Sequence, residues 1–193
     1  MVFNRDMLDH RIIDNINICD NFLDIDFFND FKNLMFRTEF PWYISSVLPE
    51  DYEETCPDRL AKPLMLSICD PKYNLQLVHM YYSDNCPNSK YYEKYILPIL
   101  KKLKVKSLIR VKANLNPRTE KNIRGGFHVD SWDETFTSIL YFNNCNGYTE
   151  FMNGPKVKNI ENRLITFPSS YYHTGVTCTD DKARIVLNLN YYS

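Results

Sequence analysis

A few side chains in the C-terminal half of the chain have the types and the order to hold a metal ion with an organic acid beside it. His128-Val129-Asp130 sets an imidazole and a carboxylate two residues apart. On an extended strand that spacing puts both on one face, where a ring nitrogen and a carboxylate oxygen reach one ion side by side. His-x-Asp alone is a weak signal in an Asp-rich chain. His173 strengthens it, 43 residues beyond Asp130 and just after Arg163-Leu164-Ile165-Thr166-Phe167-Pro168, which reads as a strand ending in a turn. Two histidines and one carboxylate leave three coordination positions open and suit non-haem Fe(II). A closed structural zinc site takes four protein ligands, and no fourth presents itself. Arg184, eleven residues past His173, opens the strand Arg184-Ile185-Val186-Leu187-Asn188-Leu189-Asn190. A planar guanidinium there suits a bidentate pair with a carboxylate.

The elements that must position these groups fall into two halves. Before residue 106 the pattern is mixed. A strand is expected around Ile12–Ile18, then a helix around Asp24–Phe36, with Phe27, Phe28, Phe31, Leu34 and Met35 on one face. Residues 49–63, polar and Pro-rich, read as an exposed loop. Leu75–Tyr82 reads as a strand, and a helix capped by Asn88 or Ser89 runs to about Leu103, kinked or broken at Pro98. From Ser107 the period becomes two: Ile109, Val111, Ala113 and Leu115 alternate with Arg110, Lys112, Asn114 and Asn116. Short β-rich stretches follow at 135–143, 148–152, 163–168 and 183–191. The fold class expected is mostly β with flanking helices (α+β): a double-stranded β-helix, or jelly roll, as the catalytic core over 106–193, with residues 1–105 as an N-terminal support of helices and strands in a single domain of 1–193.

With that ordered set in place, the stretch from about Ser107 to Tyr192 resembles the core of the Fe(II)/2-oxoglutarate-dependent dioxygenase superfamily, and in particular its prolyl-4-hydroxylase-like branch and the short phage-type members. Ser138-Ile139-Leu140-Tyr141-Phe142-Asn143 resembles the strand whose tyrosine hydroxyl helps the arginine hold the cosubstrate, which implies that role for Tyr141. Gly147-Tyr148-Thr149-Glu150-Phe151 and Asn162-Arg163-Leu164-Ile165-Thr166-Phe167 resemble the two strands that follow. Asn114 resembles an asparagine that some relatives place near the cosubstrate. The sequence departs from the branch just upstream, where many relatives carry a tyrosine and this chain reads Asn114-Leu115-Asn116-Pro117-Arg118.

The resemblance implies an enzyme with Fe(II) held by His128, Asp130 and His173, and with 2-oxoglutarate held by Arg184, Tyr141 and Asn114. O2 is the further cosubstrate, ascorbate a supporting reductant, and succinate and CO2 are products. The presence of Asp130 implies hydroxylation, since halogenating relatives usually lack that carboxylate. The substrate expected is a peptidyl prolyl or other amino-acid side chain, or a small polar molecule. Asn188 and Asn190 share a strand face with Arg184, and buried amides must find partners; together with Trp132 they are the candidate substrate contacts. Two other readings stand beside this one: a nucleobase-directed oxygenase, and a β-helix binding module without turnover.

Charge bears on the first alternative. The net charge of -1 hides an acidic start (13 acids and 4 bases over residues 1–58) and a basic middle (4 acids and 14 bases over 59–126). A basic stretch such as Lys101, Lys102, Lys104 and Lys106 suits an anionic partner, nucleic acid included; the reading preferred is a solvated face turned toward the acidic part of the same molecule. Residues 117–126, rich in Arg, Lys and Asn and holding Pro117, Gly125 and Gly126, read as a mobile loop entering the site. Six scattered cysteines without a Cys-x-x-Cys pair read as reduced thiols. No apolar run approaches the about 20 residues that span a bilayer, and the first residues lack a signal-peptide pattern, so a cytoplasmic protein with no membrane partner is expected.

Overall fold

The computed structural model describes residues 10–45 and 75–193. The loop expected at 49–63 lies outside them, as do Cys56 and Cys69. The elements in chain order are β1 (His10–Ile13), β2 (Ile16–Cys19), α1 (Ile25–Met35), β3 (Tyr43–Ser45), β4 (Gln76–Ser83), β5 (Cys86–Pro87), a π-helical turn (Tyr92–Ile96) running into α2 (Leu97–Leu103), then β6 (Ser107–Pro117), β7 (Phe136–Tyr141), β8 (Tyr148–Phe151), β9 (Lys156–Lys158), β10 (Leu164–Pro168), β11 (His173–Val176) and β12 (Ala183–Tyr192). The strands form a nine-stranded sheet, in the order β1-β2-β10-β7-β12-β6-β4-β3 with β5 beside β4, and a three-stranded sheet, β11-β8-β9. Their pairings are antiparallel. This is the mostly β jelly-roll architecture, with helices on the outside.

Alternation along the long strands builds two cores. On β12, Ile185, Leu187, Leu189 and Tyr191 enter the cluster beneath the helices. The intervening Val186 enters the cluster between the two sheets, with Ile139 and Tyr141 of β7, Ile165 and Phe167 of β10, and Phe151 and Val157 of the small sheet. A period of two on a sheet buried on both faces sends alternate side chains to different cores. Arg184, Asn188 and Asn190 therefore share the between-sheet face with Val186.

Helix α1 closes the outer core. Asp24 caps it, its Oδ1 accepting from the N–H groups of Asp26 and Phe27 at 3.1 and 3.2 Å. Phe28, Phe31, Leu34 and Met35 are buried. The Phe31 ring stacks on Tyr95 at 4.6 Å and meets Phe142 edge-on at 5.0 Å. Each such ring contributes about 1.5–3 kcal/mol by leaving water. Pro98 lies at the join between the π-helical turn and α2, where the helical run changes type without a gap: it has no N–H to give to the turn before it, and the Leu97 N–H reaches back five residues to Tyr92 O.

The single strand expected over Ile12–Ile18 is a hairpin. Asp14 and Asn15 both have positive φ, 49° and 63°, and turn the chain between β1 and β2; Asp and Asn tolerate that left-handed conformation best among residues with a Cβ. β2 then pairs with β10, Ile18 opposite Ile165, so residues before 106 add strands to the large sheet as well as helices. The segment expected to be a mobile loop, 117–126, is held along the far end of β11. Thr119 N–H donates to Cys178 O, Gly125 N–H to Gly175 O and Thr177 N–H to Ile123 O, at 3.0 to 3.1 Å, and Asn122 Nδ2 donates to Thr177 O at 2.6 Å. No helix among the described residues is long and apolar enough to cross a membrane.

Candidate metal centre and carboxylate pocket

His128 and His173 face each other across an isolated antiparallel bridge, each N–H donating to the other's carbonyl at 3.1 and 3.0 Å. His173 opens β11, and His128 sits on an extended segment outside the regular strands. Their rings lie 4.7 Å apart. Asp130 is fixed two residues on by its N–H bond to Ser169 O at 3.0 Å. Its Oδ2 is 3.7 Å from His173 Nε2, with both side chains nearly fully buried. One donor atom from each of the three lies within 4.8 Å of the others.

The tautomers follow from the hydrogen bonds. His128 Nδ1 lies 3.1 Å from Gly126 O, and His173 Nδ1 lies 2.9 Å from Tyr171 O. A carbonyl only accepts, so both Nδ1 atoms carry the proton, and each Nε2 is left as a lone pair for a cation. Burial lowers the His128 pKa to about 4, helped by the neighbouring His173 and opposed by Asp130. Burial pushes Asp130 the other way, but His173, Arg110, His128 and the Thr137 hydroxyl outweigh it and hold the carboxyl below its usual range. A neutral His128 imidazole and an ionised Asp130 carboxylate are protonation states that a divalent metal needs.

A polar ladder across three strands orients Asp130. Thr137 of β7, Asn190 of β12 and Arg110 of β6 are register partners. Thr137 Oγ1 and Asn190 Nδ2 donate to Asp130 Oδ2 at 2.8 and 3.0 Å, and Arg110 Nη2 donates to Oδ1 at 3.1 Å. Arg110 Nε also donates to Asn190 Oδ1 at 3.1 Å, and Asn190 Nδ2 reaches Thr137 Oγ1 at 3.0 Å. Asn190, expected at the substrate, thus has its amide occupied by Asp130 and its supports. Thr137 and Arg110 had no place in the sequence reading of the site. Thr137 was within reach, because it shares a strand face with Tyr141; Arg110 stood only as one of the polar residues alternating along the strand from Ser107.

Arg184 lies at the other end of the inner face. It is 3% exposed. Its Nη2 donates to Thr149 Oγ1 at 2.9 Å, and Tyr141 donates its hydroxyl to the same Thr149 oxygen at 2.8 Å. Two glycines make room. A Cβ on Gly147 would stand 2.9 Å from Arg184 Cδ, and one on Gly175 would stand 3.1 Å from Nη1. Gly175 is two residues along β11 from His173, about 7 Å of strand. Arg184 Nε is buried without a partner, and no carboxylate pairs with the guanidinium among the described residues. Burial lowers its pKa, against the opposing pull of Tyr141, Cys145 and Cys178. Holding a desolvated cation without a counter-charge costs several kcal/mol. An acid in this pocket would remove that cost.

Asn114 is buried on β6 opposite Val186, and Asn188 is half-buried on β12; the Oδ1 of each is buried and has no partner. Both stand on the face shared with Val186 and Arg184. Trp132 is 61% exposed and meets Tyr172 edge-on at 5.8 Å, forming an aromatic rim beside Asp130 and His173.

No protein-family model and no curated protein sequence matches the chain. Solved structures do. The non-haem alpha-ketoglutarate-dependent epimerase SnoN from nogalamycin biosynthesis superposes with a TM-score of 0.59 at 9% identity, over 93% of this chain and 78% of that one. A prolyl hydroxylase from Trichoplax adhaerens, in complex with a hypoxia inducible factor peptide fragment, gives 0.57 at 15% identity over 92% and 83%. A prolyl-4-hydroxylase from Pseudomonas putida gives 0.52 at 11% identity over 93% of both. The fold of this chain is that of the Fe(II)/2-oxoglutarate oxygenases, prolyl hydroxylases among them.

Proposed function

We propose that the protein is an Fe(II)- and 2-oxoglutarate-dependent oxygenase that hydroxylates a polar substrate, a peptidyl prolyl or other amino-acid side chain before others. The observation that carries the reading is Arg184: a buried guanidinium without a counter-ion, on the same inner face as a His-Asp-His cluster whose free nitrogens converge. His128 Nε2, His173 Nε2 and an Asp130 oxygen would hold the iron. Arg184, with Tyr141 and Thr149 beside it, would hold the far carboxylate of 2-oxoglutarate. When bound, the iron and 2-oxoglutarate would supply the chemistry that uses O2 as oxidant, one oxygen atom going to the hydroxylated substrate and the other to succinate, with CO2 released.

The protein's own part is placement. The backbone bridge between His128 and His173 fixes the spacing of two ligands, and Thr137, Asn190 and Arg110 aim the third. Asn114 and Asn188 offer acceptors to whatever fills the inner face, which supports a substrate bearing N–H or O–H groups. The exposed Trp132–Tyr172 pair at the rim suits a peptide, the kind of molecule with which the Trichoplax prolyl hydroxylase is in complex. The test is anaerobic titration of the purified protein with Fe(II) and 2-oxoglutarate, followed by succinate release with peptide substrates. One metal site and a 2-oxoglutarate site that depends on it are expected, with His128→Ala abolishing metal binding. Metal binding that survives His128→Ala sinks the assignment.

A further inference from the structure

Cys145 and Cys178 lie outside the centre just described. They sit on the two loops that prolong the β8–β11 ladder past its last pair, Tyr148 with Val176. These loops are tied together. Asn146 N–H donates to both Asp180 carboxylate oxygens at 2.9 and 3.0 Å, Asn146 Nδ2 donates to Thr179 Oγ1 at 2.7 Å, and Thr179 N–H donates back to Asn146 Oδ1 at 2.9 Å. The result is two sulfurs and one Asp180 oxygen within 4.8 Å of one another. Both thiols are free, Cys178 fully buried and Cys145 half-buried. Their proximity couples the two thiols, lowering the Cys178 pKa and raising that of Cys145. A buried thiol with a lowered pKa beside a second, half-exposed thiol is the arrangement of a pair that oxidises readily.

We propose that Cys145 and Cys178 are a reversible redox modification site that closes to a disulfide under a two-electron oxidant of the peroxide class, and that closure acts on Arg184. Each sulfur gives up one proton and one electron, and the S–S bond forms. The O–O bond of the peroxide breaks and, with the two protons, leaves as two waters when the oxidant is hydrogen peroxide. A small-molecule dithiol reverses the step by exchange. The coupling rests on the assignment of Arg184 as the carboxylate holder. Cys145 is two residues before Gly147, and Cys178 two after Val176. The space beside Gly147 is bounded by Arg184 Cδ and Val176 O, both 2.9 Å from where a Cβ would stand. That contact has no slack, so drawing the sulfurs to bonding distance, about 2 Å, shifts the walls against the arginine.

The experiment treats the full, reduced protein with hydrogen peroxide, alkylates the remaining thiols, and maps peptides by mass spectrometry. The expected product is one linked peptide joining Cys145 and Cys178, two hydrogens lighter than its parts. Dithiothreitol reverses it, and Cys145→Ser lacks it; the exposed Cys86 reports general oxidation. Sulfinic acid on either residue without the link overturns the site. So does one equivalent of zinc that protects both thiols and is lost in Cys145→Ser, since that makes the cluster a metal site. Cys178→Ala repeats the test should Cys145→Ser fold poorly. 2-Oxoglutarate affinity is then compared between oxidised and reduced protein. A weakening of about fivefold or more in the wild type, absent in Cys145→Ser, supports the coupling, and equal affinities overturn it. Failure of the reduced protein to bind 2-oxoglutarate overturns the Arg184 assignment and the coupling with it, and leaves the linked peptide standing.

Discussion

Replacing Arg184 with Met separates its structural cost from its use. The side chain is 3% exposed, hydrogen-bonded to Thr149 through Nη2, with Nε unpaired. Exchanging a poorly compensated buried charge for an apolar chain of similar length is often stabilising, by about 1–4 kcal/mol. Losing the Thr149 bond returns about 1 kcal/mol of that, and Thr149 keeps its bond from Tyr141. The ligand-free variant is therefore expected to gain about 1 kcal/mol, which for a chain of this size raises Tm by about 2–4 °C. Binding moves the opposite way. Loss of a buried charge partner weakens 2-oxoglutarate by about 2–4 kcal/mol, or about 30- to 800-fold. At a ligand concentration of 100 times the wild-type Kd the wild type gains about 2.7 kcal/mol of stability, and the variant gains about 0.1–0.9 kcal/mol. Thermal unfolding with Mn(II) present, with and without 2-oxoglutarate, reads both effects. A variant that melts several degrees lower without ligand and keeps the full 2-oxoglutarate response would show that the arginine is a structural group, and the carboxylate pocket would lose its basis.

Three further outcomes are expected. Asn190→Ala frees one side of Asp130 and should weaken metal binding about 10- to 100-fold without changing which substrates are accepted; metal titration by calorimetry checks it, and unchanged affinity would return Asn190 to the substrate. Gly147→Ala, whose Cβ would meet the Val176 carbonyl at 2.9 Å, should destabilise by about 1–3 kcal/mol, whereas Gly175→Ala, at 3.1 Å from the movable end of Arg184, should mainly lower 2-oxoglutarate affinity. Without metal, stability should fall as pH drops from about 6.5 toward 4: the buried His128 has its pKa lowered to about 4, so the unfolded chain binds the proton first, and that contribution is complete above the unfolded value. Urea unfolding at pH 7.5 and 5 measures it, and His128→Gln should flatten the difference.

The long, strongly patterned segments were legible in the sequence because one physical rule governed each. The period of two from Ser107 and again from Ala183 fixed which residues look between the sheets, and so put Arg184, Asn188 and Asn190 on one face. Asp24 and the apolar spacing after it marked α1. What escaped depends on partners that lie far off in the chain. His-x-Asp was expected on a regular strand, yet His128 pairs with the sheet only through His173. The segment 117–126 has a loop's composition, and its attachment to residues 175–178 is made by backbone groups that composition does not encode. Arg110 alternates with apolar neighbours as a solvent-facing residue would, but at this end of β6 the polar face is the inside. β9 and β11 are three and four residues long, too short for a period to show.

The mutual backbone bond between His128 and His173 bears on how the metal would arrive. Two of the three proposed ligands are already coupled as one piece of main chain, and the third is held by Thr137, Asn190 and Arg110, so loading would call for little rearrangement of the chain. In small zinc domains, by contrast, the ion must gather an unfolded chain about itself. Here the slow part of loading would be the ion shedding its water. Chelation should then leave the far-ultraviolet circular dichroism unchanged, and repeated cycles of metal removal and return should recover the same affinity each time.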